Sequence, residues 1–600
     1  MPRALYAIPF ALALLAAPAA AGDETPSKLK LVELVISADT AEDPPPLVPL
    51  GPQPKNFRLR LERLRELSRD PGVAGVRLKL EGAPDFAHAL DLMDELRALK
   101  GAGKKVVCYA EDMDQRGLMF ASAADLLVMP PSGLIGLDGL SAEVMYMADL
   151  FAKIDVSFEV LHVGEYKTAF EDLARREMSP AQREVIEHLL DEWYGQMLDA
   201  IATNRGLSRA PVEAAFAQVI VEPAQAAELG LIDAAAFEDE FDARVEALLG
   251  GPFELDESWG DKGKEELERM LENPFGAFSL IGKLINPPQR EAPDQPHVGI
   301  VYATGAITSG KSQAGWDGKV TSMGSDTIVE ALDAAAADDD CKAVILRVNS
   351  PGGSALASDM IWRAIQRCRE KKPVISSMGW VAGSGGYWIS MGCDAIVAQP
   401  STITGSIGVV SMLPNVAQAL KDVGINVEVV ARGPHGDQLS LLRHGPTPVL
   451  REVITRMMDG VYQDFLTKVS DGRKLERERV AELARGRVWT GREALDNGLV
   501  DELGGLRDSI ALACVMGGGL DPLTTPLAEY PEPPNFMDAL EEAFGNATTA
   551  QGRLGLLASH LQAVPALRDA LAAVQAALSD GDAIHGARVQ ALMPFVLNVR

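Results

Sequence analysis

Asp125-Leu-Leu-Val-Met-Pro-Pro-Ser-Gly-Leu-Ile-Gly-Leu-Asp-Gly139 returns 269 positions later as Asp394-Ala-Ile-Val-Ala-Gln-Pro-Ser-Thr-Ile-Thr-Gly-Ser-Ile-Gly408, with Asp, Val, Pro, Ser and two Gly in register. A match at one fixed offset marks a duplicated unit, so the chain is read as two halves. Upstream, residues 76–80, the helical pattern 87–100 and the strand-like run 105–109 mirror 343–348, a helix to Arg369, and 373–377. Each half therefore reads strand, helix, strand, helix, strand. Short β-branched runs alternating with helices long enough to cross over predict parallel sheets. The fold class is α/β, a tandem repeat of two domains, each with a parallel sheet and crossover helices. Each half then runs into a helical extension: 179–201 and 211–236 in the first, 449–469 and 475–503 in the second.

The flanking segments follow from composition. Residues 1–21 combine Arg3, an apolar stretch and Ala19-Ala20-Ala21, the layout of a secretory signal peptide. The stretch is shorter than a bilayer span and is broken by Pro9, which favours cleavage over an uncleaved anchor. Residues 22–55 are expected to be an N-terminal extension, 56–249 the first domain, 250–296 a Gly/Pro/charge-rich linker, 297–520 the second domain and 521–600 a helical tail. The linker is expected to carry a short helix at 264–271, and its apolar run 275–285 to pack on a domain face.

Charge and cysteine usage narrow the function. A formal charge of −29 over 600 residues opposes phosphate backbones and anionic lipid, so nucleic acid is not an expected partner. Five scattered cysteines without a CxxC pair indicate neither a disulfide framework nor a zinc site, and no metal or cofactor is expected.

The second half concentrates the unusual loops. Asn349-Ser350-Pro351-Gly352-Gly353-Ser354 follows a strand, and its glycines let backbone N–H groups approach a ligand. Ala382-Gly383-Ser384-Gly385-Gly386-Tyr387 sets a serine between glycines at a strand-to-helix turn, which exposes the hydroxyl near a helix N-terminus. Ser384 is the candidate nucleophile and needs an adjacent base. None of the eight histidines has a recognisable triad spacing, whereas burial would lower a lysine toward neutrality. Val163-Gly164-Glu165-Tyr166-Lys167 offers one. In the repeat register Ser384 pairs with Gln115 and Lys167 with Gly436, so each half lacks what the other retains. A site shared between halves, or between neighbouring subunits, accounts for that. His162 is the competing base, read as a strand histidine with its own hydrogen bond.

These residues resemble a known family. Asn349-Ser-Pro-Gly-Gly-Ser354, Ala382-Gly-Ser-Gly-Gly-Tyr-Trp-Ile-Ser390, Thr404-Gly-Ser-Ile-Gly408, Arg487-Val-Trp-Thr-Gly491 and Gly164-Glu-Tyr-Lys167 with Met178-Ser-Pro180 are similar to the long, tandem-domain form of bacterial signal peptide peptidase A. The resemblance covers roughly 56–515. It implies a Clp-protease/crotonase-like fold, a Ser384/Lys167 dyad split between domains, and Ser406 hydrogen-bonding the lysine. It also implies an oxyanion hole from the N–H groups of Gly353 and Gly385, and a dome-shaped homotetramer at the membrane face. Signal-peptide remnants and other hydrophobic or unfolded peptides would be the substrates, in the periplasm or on the outer face of the inner membrane. Gly383 stands where the family usually has alanine, and the cleavable signal departs from its frequent anchor.

Other readings remain beside this one. Ser384 also fits a helix cap, Lys167 a solvated surface lysine and Ser406 a turn serine. A crotonase-like acyl-CoA enzyme would share the Gly-rich loops, though export separates it from CoA, and a non-catalytic scaffold would keep the fold. Gly305-Ala-Ile-Thr-Ser-Gly310-Lys311-Ser312 matches a phosphate-loop pattern, but the turn-like residues after it lack the required helix, so no nucleotide is expected.

Overall fold

Residues 28–39, 41–44, 55–257, 259, 293–314, 320–438, 440–531 and 590–592 are described by the computed structural model. The proposed signal segment and the linker elements at 264–271 and 275–285 lie outside them.

In the first half, alternating and β-branched runs form β1 (Leu29–Ile36), β2 (Val73–Leu80), β3 (Lys105–Tyr109) and β4 (Leu126–Met129). Beyond them come β5 (Ser157–Val163), β6 (Ala234–Ala235) and β7 (Phe253–Asp256). The sheet order is β7-β1-β2-β3-β4-β6, parallel throughout. The sheet therefore takes in Leu29–Ile36, expected in the N-terminal extension, and Phe253–Asp256, expected in the linker. Buried Leu31, Val32, Leu34 and Ile36 explain β1: they fill the core on both faces of the sheet.

The second half repeats the plan with β8 (His297–Thr304), β9 (Ala306–Thr308), β10 (Cys341–Ser350), β11 (Gly352–Ser354), β12 (Val374–Gly383), β13 (Ile403–Gly405), β14 (Val409–Asn415), β15 (Val488–Thr490) and β16 (Leu527–Tyr530). Its main sheet runs β15-β13-β12-β10-β8-β16, parallel except for β15 against β13. Two strands fall within the span expected to be a helical tail: β16 closes this sheet and β17 (Gln590–Leu592) joins another, while residues 532–589 and 593–600 of that span lie outside the described residues.

Helices α1 (Phe86–Gly101), α2 (Pro180–Arg205), α3 (Ala355–Arg369), α4 (Gly385–Ser390) and α5 (Pro448–Arg473) matter for the site. α2 and α5 are repeat counterparts and start alike. Ser179 or Thr447 caps the first turn and proline takes the next position, where its missing N–H costs nothing. Gly206, in the left-handed region at φ 65°, ends α2. Between the halves, Trp193 of α2 lies 4.9 Å from Trp380, ring centre to ring centre, and donates its indole N–H to the Ser401 carbonyl at 3.0 Å. All five cysteines are buried. The stretch after Lys311-Ser312 continues into a strand pair, and the next helix starts at Ser325, so no helix begins at that lysine.

Candidate active site

One pairing between the halves decides where Lys167 goes. β5 of the first half runs antiparallel along β14 of the second, from Val163 opposite Val409 to Ser157 opposite Asn415. β14 begins three residues after Ser406, so the loop that leaves β5 is delivered beside Ser406. The second half then clamps that loop: Tyr166 N–H donates to the Arg485 carbonyl at 2.8 Å. Gly164 has φ 112° and touches Arg485 so closely that a Cβ would sit 2.4 Å from its carbonyl carbon. Gly486, at φ 78°, packs against Lys167 itself, where a Cβ would fall 2.5 Å from the Lys167 nitrogen. Two backbones approach here as only glycine permits.

Ser384 sits at the junction of β12 and α4 with φ 56° and ψ −111°. A non-glycine residue held there stores strain of order 1–3 kcal/mol, a cost that clusters at functional sites. Its N–H donates to the Gly405 carbonyl at 2.8 Å, and its own carbonyl accepts from Trp388 N–H at 2.8 Å, which fixes the turn. The side chain makes no helix-cap hydrogen bond.

The structure brings Lys167, Ser384 and Ser406 together. Lys167 Nζ lies 2.6 Å from Ser384 Oγ, and donates to the Ser406 carbonyl at 2.8 Å and to Ser406 Oγ at 2.9 Å. All three residues are wholly buried. Burial holds the lysine well below the usual ammonium range, with no carboxylate opposing it among the described residues. A neutral amine has two N–H groups and one lone pair. Ser406 takes up the two N–H groups, which leaves the lone pair for the Ser384 hydroxyl.

Gly353 and Gly385 also converge. A Cβ on Gly385 would lie 3.1 Å from Gly353 N and 2.7 Å from Ser358 Oγ, and one on Gly353 would lie 2.1 Å from the Ile307 carbonyl oxygen. Ser350 shapes this loop, accepting from Gly352 N–H at 3.1 Å and donating to the Gly305 carbonyl at 2.7 Å. The repeat counterparts are conventional. Gln115 starts an ordinary helix capped by Asp114 and donates to the Gly139 carbonyl at 2.7 Å. His162, the competing base, is exposed and donates through Nδ1 to the Gly164 carbonyl at 2.9 Å. Sequence reasoning misses Gly164 and Gly486 as clamp residues. Their signal is nonetheless present, since Gly164 opens the lysine loop and Gly486 immediately precedes Arg487-Val-Trp-Thr-Gly491.

A tandem α/β fold of the Clp protease kind, with a serine and a buried lysine contributed by different halves, defines the class. The signature of peptidase family S49 matches twice, over residues 98–250 and 366–515, and that of Clp protease over 314–402. The chain belongs to peptidase family S49. Protease 4 of Salmonella typhi is 32% identical over 462 residues, covering 75% of this chain and 70% of that protein. Protease 4 of Haemophilus influenzae is 30% identical over 504 residues, 82% of this chain and 73% of that one. The chloroplastic serine protease SPPA of Arabidopsis thaliana is 30% identical over 463 residues, 76% of this chain and 66% of that protein. The resemblance to signal peptide peptidase A read from the motifs stands on these matches, and the activity they share is proteolysis. Among the described residues no helix is long and apolar enough to cross a membrane.

Proposed function

We propose that the chain is a serine endopeptidase in which Ser384 is the nucleophile and Lys167 the general base, with Ser406 orienting the amine. The contact of 2.6 Å between Lys167 Nζ and Ser384 Oγ carries this reading. The neutral amine takes the Ser384 proton as Oγ attacks the peptide carbonyl. The Gly353 and Gly385 N–H groups stabilise the oxyanion, and the resulting ammonium protonates the leaving amine. Water activated by the same lysine then hydrolyses the ester. Labelling with a fluorophosphonate tests the nucleophile: the wild type should label and Ser384→Ala should not. Turnover of a peptide ester should vanish in Ser384→Ala and in Lys167→Ala, and substantial activity in either would sink the dyad. Loss of labelling in Ser384→Ala alone would also set aside the scaffold reading.

The substrates are hydrophobic or unfolded peptides, signal-peptide remnants among them, cut in the bacterial cell envelope on the periplasmic side of the inner membrane. This rests on the family and on the apolar N-terminal segment.

Assembly into a homotetramer has support in the repeat. β5 and β14 are joined within the chain, whereas their counterparts 426–432 and 140–146 do not run as strands. Val430 is 89% exposed and Met145 59% exposed on these two segments. The same pairing repeated head to tail between neighbours would join them and close a ring. Sedimentation of the wild type against Val430→Asp tests this: the variant should shift to a smaller species.

A further inference from the structure

Arg487 touches both of the groups that hold the lysine amine. Its main-chain carbonyl accepts from Ser406 N–H at 2.7 Å, and Ser406 supplies both acceptors for Lys167 Nζ. Its guanidinium carbon stands 5.1 Å from the ring centre of Tyr166, the residue before Lys167. The same carbon lies 4.9 Å from the ring centre of Trp489, so two aromatic rings flank the guanidinium. Trp489 in turn abuts Gly405, where a Cβ would fall 2.9 Å from its Cδ1, and the Gly405 carbonyl holds Ser384 N–H. One row of contacts therefore runs from the lysine loop through Arg487 to the nucleophile turn.

Two further observations separate this row from ordinary surface packing. Glu184 of α2 accepts from Arg487 Nη1 at 3.0 Å and lies 3.4 Å from the Tyr166 hydroxyl, whereas Arg487 Nε is buried with no acceptor among the described residues. A buried N–H left unpaired is a cost that a group placed only for its hydrogen bonds would avoid, so stacking decides where the guanidinium sits. In the repeat, Gly491 answers to Pro223 and hence Arg487 to Val219, which is exposed. The half with no lysine to hold has no arginine at this place.

We infer that Arg487 is a positioning residue for the Ser384–Lys167 pair: stacked on Tyr166, its guanidinium keeps the lysine loop seated so that Nζ reaches Ser384 Oγ. The inference rests on the proposed dyad. A cation over an aromatic face gains strength as water is excluded, and Tyr166 is buried. Arg485 also stands over that ring, at 5.6 Å, but its side chain is 51% exposed against 22% for Arg487 and pairs with Glu165 at 3.4 Å. Arg487 is therefore the better shielded of the two. Without it the loop shifts, and the amine leaves the line to the hydroxyl while the peptide is still bound.

Turnover of a peptide ester by the full-length chain tests this, with kcat referred to the fraction of chains that a fluorophosphonate labels at saturation, so that misfolded protein is not counted. Arg487→Gln should lower kcat on the order of 100-fold, with KM within about twofold of the wild type. Tyr166→Leu removes the ring from the other side of the contact and should give a similar loss, and the double variant should be no worse than either alone. Arg487→Lys keeps a cation over the ring without the flat stack, and should recover about a tenth of the wild-type kcat. Wild-type kcat in Arg487→Gln, losses that multiply in the double variant, or no gain from Arg487→Lys over Arg487→Gln overturns the inference. Lys167→Ala measured alongside keeps the two readings apart. Turnover that survives it removes the dyad, whereas a dead Lys167→Ala beside an unimpaired Arg487→Gln removes only the role of Arg487.

Discussion

Arg347 and Glu42, 305 residues apart in sequence, meet at 2.6 Å with both side chains buried. Glu42 also faces His88 Nε2 at 2.7 Å, and His88 Nδ1 lies 2.6 Å from Asp85. One ionic cluster therefore ties the segment after β1, helix α1 and strand β10. Since β10 runs directly into the loop that carries Gly353, the cluster fixes how the first half seats against the oxyanion side of the site.

Removing the cation exposes the value of the pair. Arg347→Met leaves buried Glu42 with His88 as its remaining cationic partner and strips Asp91 of its cation, and should cost about 3 kcal/mol, read by urea denaturation. The double variant Arg347→Met/Glu42→Gln should recover part of that loss, because the carboxylate nearest to Arg347 is then neutral, while Asp91, 3.5 Å from the guanidinium in the wild type, still lacks that cation.

The cluster also predicts a pH window. Burial would lower His88, but Asp85 and Glu42 outweigh it and carry the imidazole up to about 10 from 6.5. A folded value above the unfolded one means that the stabilisation is fully present below 6.5 and is lost as pH rises toward 10. The stability advantage of the wild type over His88→Gln should therefore shrink across that interval, read as the gap between urea midpoints. A constant gap would contradict a charged His88.

Lys167 gives the opposite dependence in activity. Burial holds it well below 10.5, so its neutral form persists to lower pH than that of an ordinary lysine, and acid destroys it. kcat/KM should fall as pH is lowered, and Lys167→Arg, which keeps N–H donors but never deprotonates, should be inactive at every pH.

The repeat makes much of the site legible in the residues themselves. Its register assigns the serine to one half and the lysine to the other, and the glycines around Ser384 mark the turn. Everything held by distant pairing is hidden from such a reading. β1 looks like an extension because its partners begin at Val73 and Phe253, and no local pattern reports them. The pairing of β5 with β14 is equally non-local, so the route by which Lys167 reaches Ser384 emerges only in the fold. Glu42 carries no motif; its meaning lies in Arg347 and His88.

Gly486 offers a test of positioning. Gly486→Ala places a methyl about where the Lys167 backbone lies, at a φ that disfavours any side chain. A shift of the amine by about 1 Å should lower kcat on the order of 100-fold, with little change in KM and an unaltered far-ultraviolet spectrum.

Ser384 and Lys167 meet within one chain. Mixing Ser384→Ala protein with Lys167→Ala protein should therefore leave ester turnover at the level of the separate variants, whereas exchange between subunits would restore it.

Weaving β5 into the second half's sheet also sets a schedule. A chain emerging from its N-terminus presents Lys167 more than two hundred residues before Ser384 exists, and the lysine loop has no clamp until the strand from Val409 and the turn at Arg485 follow. On the proposed chemistry, a half-made or truncated molecule is harmless to its neighbours. Competence arrives late, when both ends of the duplication have found each other.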